Sequence, residues 1–198
     1  MATTHTEEPR QNRPDQHRHF IDKDDVADNA YRTDELDEAY ADVANLAAVK
    51  SEFGDEYFQQ ASPGTRALLL NLKRSPLDKL EVRLALSQAI DRDQLSVVLG
   101  GAYQPTTTWL PEGTGGSSPD AFQDQIGFNP TKAKDNLSKA GFPNGEGFPK
   151  LTMIALDSPE AQTQAQFLQN SFKTVLNIDV GIEALDSPTR SERTGNGD

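Results

Sequence analysis

The side chains able to do chemistry are few, and most stand without partners. All three histidines, His5, His17 and His19, lie within the first 19 of 198 residues. The rest of the chain therefore has no imidazole for general-base work, for a nucleophilic triad or for a metal. His17-x-His19 could hold a stray divalent cation, but no third ligand is fixed beside it, and a polar tail is the plainer reading. There is no cysteine, which removes thiolate nucleophiles, disulfides and sulfur-ligated metal sites. Carboxylates occur in close pairs, Asp34 with Glu35 and Asp91 with Asp93. Such spacing usually marks a helix cap and a solvated face. A hydrolase built on Asp91, Asp93 or Glu112 would need two carboxylates facing across a cleft, and no partner for them is recognisable. Asp24, Asp25 and Asp28 lack the spacing of a calcium loop. Gly113-Thr-Gly-Gly116 lacks the Lys-Ser/Thr of a phosphate loop and the strand and helix that should flank it. No catalysis, no cofactor and no metal site is expected.

Binding is the chemistry left to weigh. Trp109, the only tryptophan, stands in a loop. Its ring could wall a ligand at a cleft, or it could plug into the core as a loop anchor. The anchor is the slightly favoured reading, and Tyr103 stands under the same two. Arg83 and Arg92 could meet a ligand, but on helices they are more often surface charges or caps for nearby carboxylates.

Composition narrows the partners. The chain carries 19 Lys and Arg against 31 Asp and Glu, a net charge of −12. That balance argues against nucleic acid and anionic membranes as main partners, because both need a basic face. Residues 1–60 hold a net −9 and residues 61–198 only −3, which places a boundary between them. Hydrophobic residues make up 35%, low enough that part of the chain stays outside any core. Residues 1–29, with Pro9, Pro14 and many charges, read as a disordered or foreign tail. No apolar stretch is long enough to cross a bilayer. Residues 1–18 lack the apolar segment of a signal peptide and carry Glu7, Glu8 and Asp15 in its place, so the chain as written would not be exported.

The elements that must position these groups follow from periodicity and punctuation. Asp42 is expected to cap a helix running to about Ser51 and ended by Gly54. Tyr57 and Phe58 open a short strand, and Ser62-Pro63-Gly64 is a turn. The apolar run Ala67–Leu72 reads as a strand buried on both faces. A helix spans about Asp78–Ile90, with Asp78 and Glu81 as a capping box. A second begins at Asp91 and stops at Gly100-Gly101. Residues 102–128 form a long loop. Asn129-Pro130 caps and opens a helix closed by Gly141. Leu151–Leu156, a helix from Ser158-Pro159 to about Leu176, and Asp179–Leu185 form a β-α-β unit, whose right-handed crossover makes the strands parallel. A further helix follows Ser187-Pro188.

Several of these blocks together resemble a known family. Pro63-Gly-Thr, the run Leu68-Leu-Leu-Asn71, Ser75-Pro-Leu-Asp78 and Val82-Arg-Leu-Ala-Leu-Ser-Gln-Ala-Ile-Asp-Arg92 are similar to the central signature of family 5 extracellular solute-binding proteins. These are the oligopeptide-, dipeptide- and nickel-binding components of ABC importers. Gly100-Gly101, Trp109-Leu-Pro-Glu-Gly113, Phe128-Asn-Pro-Thr-Lys-Ala-Lys134, Leu137-Ser-Lys-Ala-Gly-Phe142 and Asn177-Ile-Asp-Val180 follow in the family's order. The resemblance covers about residues 62–198, and more faintly 31–60.

The resemblance implies a mixed α/β fragment of a bilobal, type II periplasmic-binding-protein-like fold. Its small sheet would include Leu68–Leu72, Leu151–Leu156 and Asp179–Leu185, with helices packed on it. Residues 62–198 would be part of the second lobe, residues 30–61 the end of the preceding lobe or a linker, and residues 1–29 a non-family tail. It implies a truncated, non-catalytic substrate-binding component that works outside the cytoplasm and passes a peptide or other small solute to an ABC permease. The candidate ligand-binding residues are Trp109, Tyr103, Leu68 and Asn71. Two departures stand out. Peptide-binding relatives often carry aromatics where this chain has Leu68, Leu69 and Leu70, and some carry a basic residue near Gly100, where this chain has glycine. Exposed lobe faces would favour self-association. The alternative is a free-standing interaction or structural protein that reuses the lobe, with residues 1–60 as its binding end.

Overall fold

The computed structural model describes residues 24–197 except 42, 60–63, 119 and 120. The chain divides into two compact units, Met1–Asp42 and Val43–Asp198. In the first, helix α1 (Asp24–Arg32) begins inside the stretch that the sequence assigned to the tail. Arg32 reaches back one turn to Asp28 at 3.2 Å, the acid-before-base order that suits the helix dipole. The expected Asp42 cap and the turn at Ser62-Pro63 lie outside the described residues.

The second unit opens with a 3-10 turn, Val43–Asn45, and α2 (Leu46–Phe53). Gly54 ends α2 with φ 49°, a left-handed conformation that glycine adopts without a Cβ penalty. No strand forms at Tyr57 and Phe58. Helices α3 (Leu80–Gln88), α4 (Arg92–Val98), the single turn α5 (Gln123–Ile126) and α6 (Pro130–Lys139) follow. Then come β1 (Leu151–Leu156), α7 (Pro159–Leu176), β2 (Val180–Leu185) and α8 (Ser187–Gly195). The strands pair in parallel from Leu151 opposite Val180 to Leu156 opposite Leu185.

Local side chains start α4, α6, α7 and α8. Asp91 accepts from the Gln94 N–H at 2.9 Å, Asn129 from Lys132 at 2.9 Å, Ser158 from Ala161 at 3.3 Å and Asp186 from Thr189 at 2.8 Å. Each satisfies a backbone donor that the first helical turn leaves open. The expected capping box at Asp78 and Glu81 does not form. Lys79 is the N-cap of α3 and no side chain caps it. The Asp78 carbonyl instead accepts from the Arg83 guanidinium at 2.8 Å, so the turn before α3 is closed from inside the helix.

One core joins α3, α6, α7 and β2. Val82, Ala85 and Leu86 of α3 pack with Ala133 and Leu137 of α6 and with Leu168, Phe172 and Leu176 of α7. The spacing in α7 puts these residues on one face, as helical periodicity requires. Gln88 is the buried polar tie. Its amide donates to the Gln125 carbonyl at 2.7 Å and its oxygen accepts from Asn136 at 2.9 Å.

The run Ala67–Leu72 is not a strand. The sheet among the described residues has two strands, and neither pairs with this run. Leu68, Leu69 and Leu72 are 38%, 78% and 54% exposed, while Leu70 packs partly against the core. An uninterrupted apolar run signals that cover is wanted, but it does not name the atoms that supply it. The α/β class and the parallel β1-α7-β2 unit stand, with two strands in the sheet rather than three.

Candidate functional site

The groups with site character gather where residues 64–72 meet the 102–110 loop and the start of α7. Arg66 is the only charged residue between Gly64 and Leu72. Its guanidinium carbon lies 4.3 Å from the centroid of the Tyr103 ring, a cation–π contact. The same guanidinium forms an ion pair with Glu160, in the first turn of α7. The Tyr103 hydroxyl donates to the same Glu160 oxygen, Oε1, at 2.8 Å. Three side chains from three segments thus hold one another.

Partial burial and the bond to Glu160, with the neighbouring negative charge, push the Tyr103 hydroxyl up to about 12, despite the opposing effect of Arg66. It therefore stays protonated and keeps its donor role at neutral pH. Glu160 also lines a small open cavity of about 180 Å³, walled by Val43, Ala47, Val97, Leu99, Pro159 and Thr163. Gly100 also lines it and contributes no side chain.

Trp109 is tied to the same place through the chain. The Thr65 hydroxyl, one residue before Arg66, donates to the Trp109 carbonyl at 2.8 Å. Trp109 is 69% exposed, so the expectation that it anchors the loop in the core is corrected. Short threonine bonds stiffen the loop instead. Thr106 accepts from the Thr108 N–H at 3.1 Å, Thr108 donates to the Leu110 carbonyl at 3.0 Å, and Thr107 is the buried residue. With these polar ties the loop does not need its largest apolar side chain inside.

Leu68 lies on the same segment, partly exposed. Asn71 is engaged elsewhere. Its amide nitrogen donates to the Gly197 carbonyl, and its oxygen accepts from the Lys73 N–H at 3.0 Å. The structure thus brings Tyr103 and Trp109 to the Thr65-Arg66 end, and ties Asn71 at the other end. Arg92 is a structural group. It donates to the Ser87, Ile90 and Ile126 carbonyls and, at 2.8 Å, to the Ser87 hydroxyl. Burial lowers its pKa from the usual range. Arg83 likewise donates to the Leu77 carbonyl at 3.1 Å. Asp91, offered as a possible acid, is the cap of α4.

Sequence reasoning missed Arg66 and Glu160. The one available signal was an arginine standing directly against an apolar run. Glu160 read as an ordinary helix-start acid, and the two are 94 residues apart. The arrangement offers a fixed guanidinium, a protonated phenol and an exposed indole. That is equipment for holding a solute. Among the described residues no group of three or more potential ligands could hold a metal ion.

Comparison with known proteins agrees with this reading. The family model described as bacterial extracellular solute-binding proteins, family 5 middle, matches residues 17–198. The match thus includes residues 17–29, which the sequence set apart as tail. Heme-binding protein A of Haemophilus influenzae is 33% identical over 107 residues, covering 54% of this chain and 19% of that protein. Di/tripeptide-binding protein 1 of Pseudomonas aeruginosa is 30% identical over 138 residues, covering 67% of this chain and 25% of that protein. A crystal structure of a periplasmic oligopeptide-binding protein of Borrelia burgdorferi superposes with a TM-score of 0.77 at 34% identity, covering 89% of this chain and 35% of that one. The chain spans about a fifth to a third of the length of these proteins.

Proposed function

Because the chain belongs to the bacterial extracellular solute-binding proteins of family 5, we propose that it is part of the substrate-binding component of an ABC importer, with no catalytic role. The match over residues 17–198 carries this reading. The relatives are named for haem, for di- and tripeptides and for oligopeptides, so the ligand class is a small solute, with peptides included. Residues 62–198 are read as a partial second lobe and residues 30–61 as the end of the preceding lobe. Residues 1–16, which precede the family match, are read as a tail.

In this proposal Tyr103, Trp109 and Leu68 supply ligand walls. Asn71, bonded to Gly197 and Lys73, contributes by fixing the far end of the segment. The module would act outside the cytoplasm, closing on its solute by hinge motion and then docking on a membrane permease. The share of the relatives' length that the chain spans supplies only part of a ligand's enclosure, and a half-enclosed ligand gains little beyond the cost of association. The net charge of −12 gives no support to a nucleic-acid partner. Exposed Leu69, Leu72 and Val97 support self-association.

The test is uptake. Cells with the reading frame disrupted should lose import of one member of a panel of labelled di- and tripeptides, longer peptides and haem, and regain it on complementation. Unchanged import across the panel would refute the proposal.

A further inference from the structure

We propose that Arg66 is a preorganised receptor for a carboxylate group, and that the chain's solute is a small carboxylate with an apolar or aromatic body. The inference rests on the solute-binding reading and names the ligand chemistry of that same site. A guanidinium has five N–H donors in a planar fork that matches a carboxylate. Among the described residues Arg66 spends Nη1 on Glu160, and its side chain is 54% exposed. An edge of the fork is therefore open to an incoming anion.

The fork does not wander. The Tyr103 ring supports one face at 4.3 Å, and Glu160 fixes one corner. Glu160 is itself held by the Tyr103 hydroxyl at 2.8 Å. Arginine on a surface normally loses side-chain entropy when it binds, and here much of that ordering is already present. The apolar body of the solute has a partner nearby. Trp109 is exposed, and its carbonyl is bound by Thr65, next to Arg66.

Glu160 has a second consequence. It occupies the cation as an internal carboxylate, so it orients the fork and competes for it. A ligand carboxylate must share Arg66 with Glu160 or take its place.

The experiment uses the whole 198-residue chain, labelled with 15N, and three matched probes: 3-phenylpropionate, 3-phenylpropanamide and 3-phenylpropylammonium. The indole N–H of Trp109 gives one resonance, since it is the only tryptophan. The carboxylate should shift that resonance and the Arg66 Nε–H, at lower concentration than the amide or the amine. Arg66→Gln should abolish the preference, and Arg66→Lys should weaken it because an ammonium lacks the fork. Glu160→Gln should tighten carboxylate binding by about two- to fivefold, the size set by a partly exposed ion pair. Unchanged core amide resonances verify that each variant folds.

Equal response to all three probes, preference for the amine, or carboxylate preference surviving in Arg66→Gln would overturn the proposal while leaving the solute-binding reading in place. A weaker response in Glu160→Gln would overturn the role of Glu160 as internal competitor. No response to any probe would overturn the receptor. The solute-binding reading would then fall only if the uptake test failed as well.

Discussion

Gln88 is the side chain whose removal can be worked most directly from the structure. It is 3% exposed, donates to the Gln125 carbonyl at 2.7 Å and accepts from the Asn136 amide at 2.9 Å. Its main-chain carbonyl also takes the Asn129 N–H at 2.8 Å. One residue thus ties α3 to the 125–127 turn and to the start of α6, the support under the loop that carries Trp109. Gln88→Ala removes two hydrogen bonds, each contributing about 1 kcal/mol net. It also removes one buried methylene group, Cγ, at about 0.8 kcal/mol. Gln125 is exposed, so its freed carbonyl regains water and adds little. The expected loss is about 3 kcal/mol. Gln88→Leu keeps the apolar bulk and should lose only the polar part, about 2 kcal/mol. Urea unfolding followed by far-ultraviolet circular dichroism, at equal m-value, measures both. A double-mutant cycle with Asn136→Ala should give a coupling of about 1 kcal/mol. A loss below about 1 kcal/mol for Gln88→Ala, or a leucine variant as damaged as the alanine one, would refute this account of the tie.

The other expectations address the backbone, the core and the site. A Cβ on Gly145 would stand 2.6 Å from the Asn177 carbonyl oxygen and 2.7 Å from that of Leu176, at φ +78°. Gly145→Ala should therefore cost on the order of 2–4 kcal/mol. Gly147→Ala, also at positive φ but with nothing within 4 Å, should cost only about 1 kcal/mol, and equal losses in thermal unfolding would disprove the clash. Leu137→Ala empties the contact between α6 and α3 and should lower stability by about 3 kcal/mol in the same urea assay, while a loss near zero would mean the core closes over the gap. Tyr103 has its folded pKa raised from 10.0 to about 12, so the stability linked to its proton is fully present below about pH 10 and is lost as pH rises through about 12. The two-unit displacement caps that contribution near 2.7 kcal/mol, and solvent screening at this partly exposed ring reduces it to about 1 kcal/mol. Ultraviolet titration should show Tyr103 ionising late, and Tyr103→Phe should remove that late phase. If the exposed run drives self-association, Leu69→Lys should lower the weight-average mass seen by sedimentation at high concentration; an unchanged mass would exclude that surface.

What the chain dictated locally was readable from residues close together in sequence. Asp91, Asn129 and Ser158 cap the helices they precede, because a short polar side chain reaches only the N–H groups two or three residues ahead. The spacing of Ala165, Leu168 and Phe172 marks the buried face of α7. Leu151–Leu156, α7 and Val180–Leu185 form the expected parallel unit because a helix of that length returns the chain to the same end. Motif order was enough to name the family. Tertiary structure decided the rest, because the deciding partners are remote. The fate of Ala67–Leu72 depended on whether a neighbouring strand exists, which no apolar run specifies. Whether Trp109 turned inward depended on how the loop's threonines satisfied its backbone. The Arg66–Tyr103–Glu160 cluster joins residues 57 and 94 positions apart, and no local pattern records a contact that only folding creates.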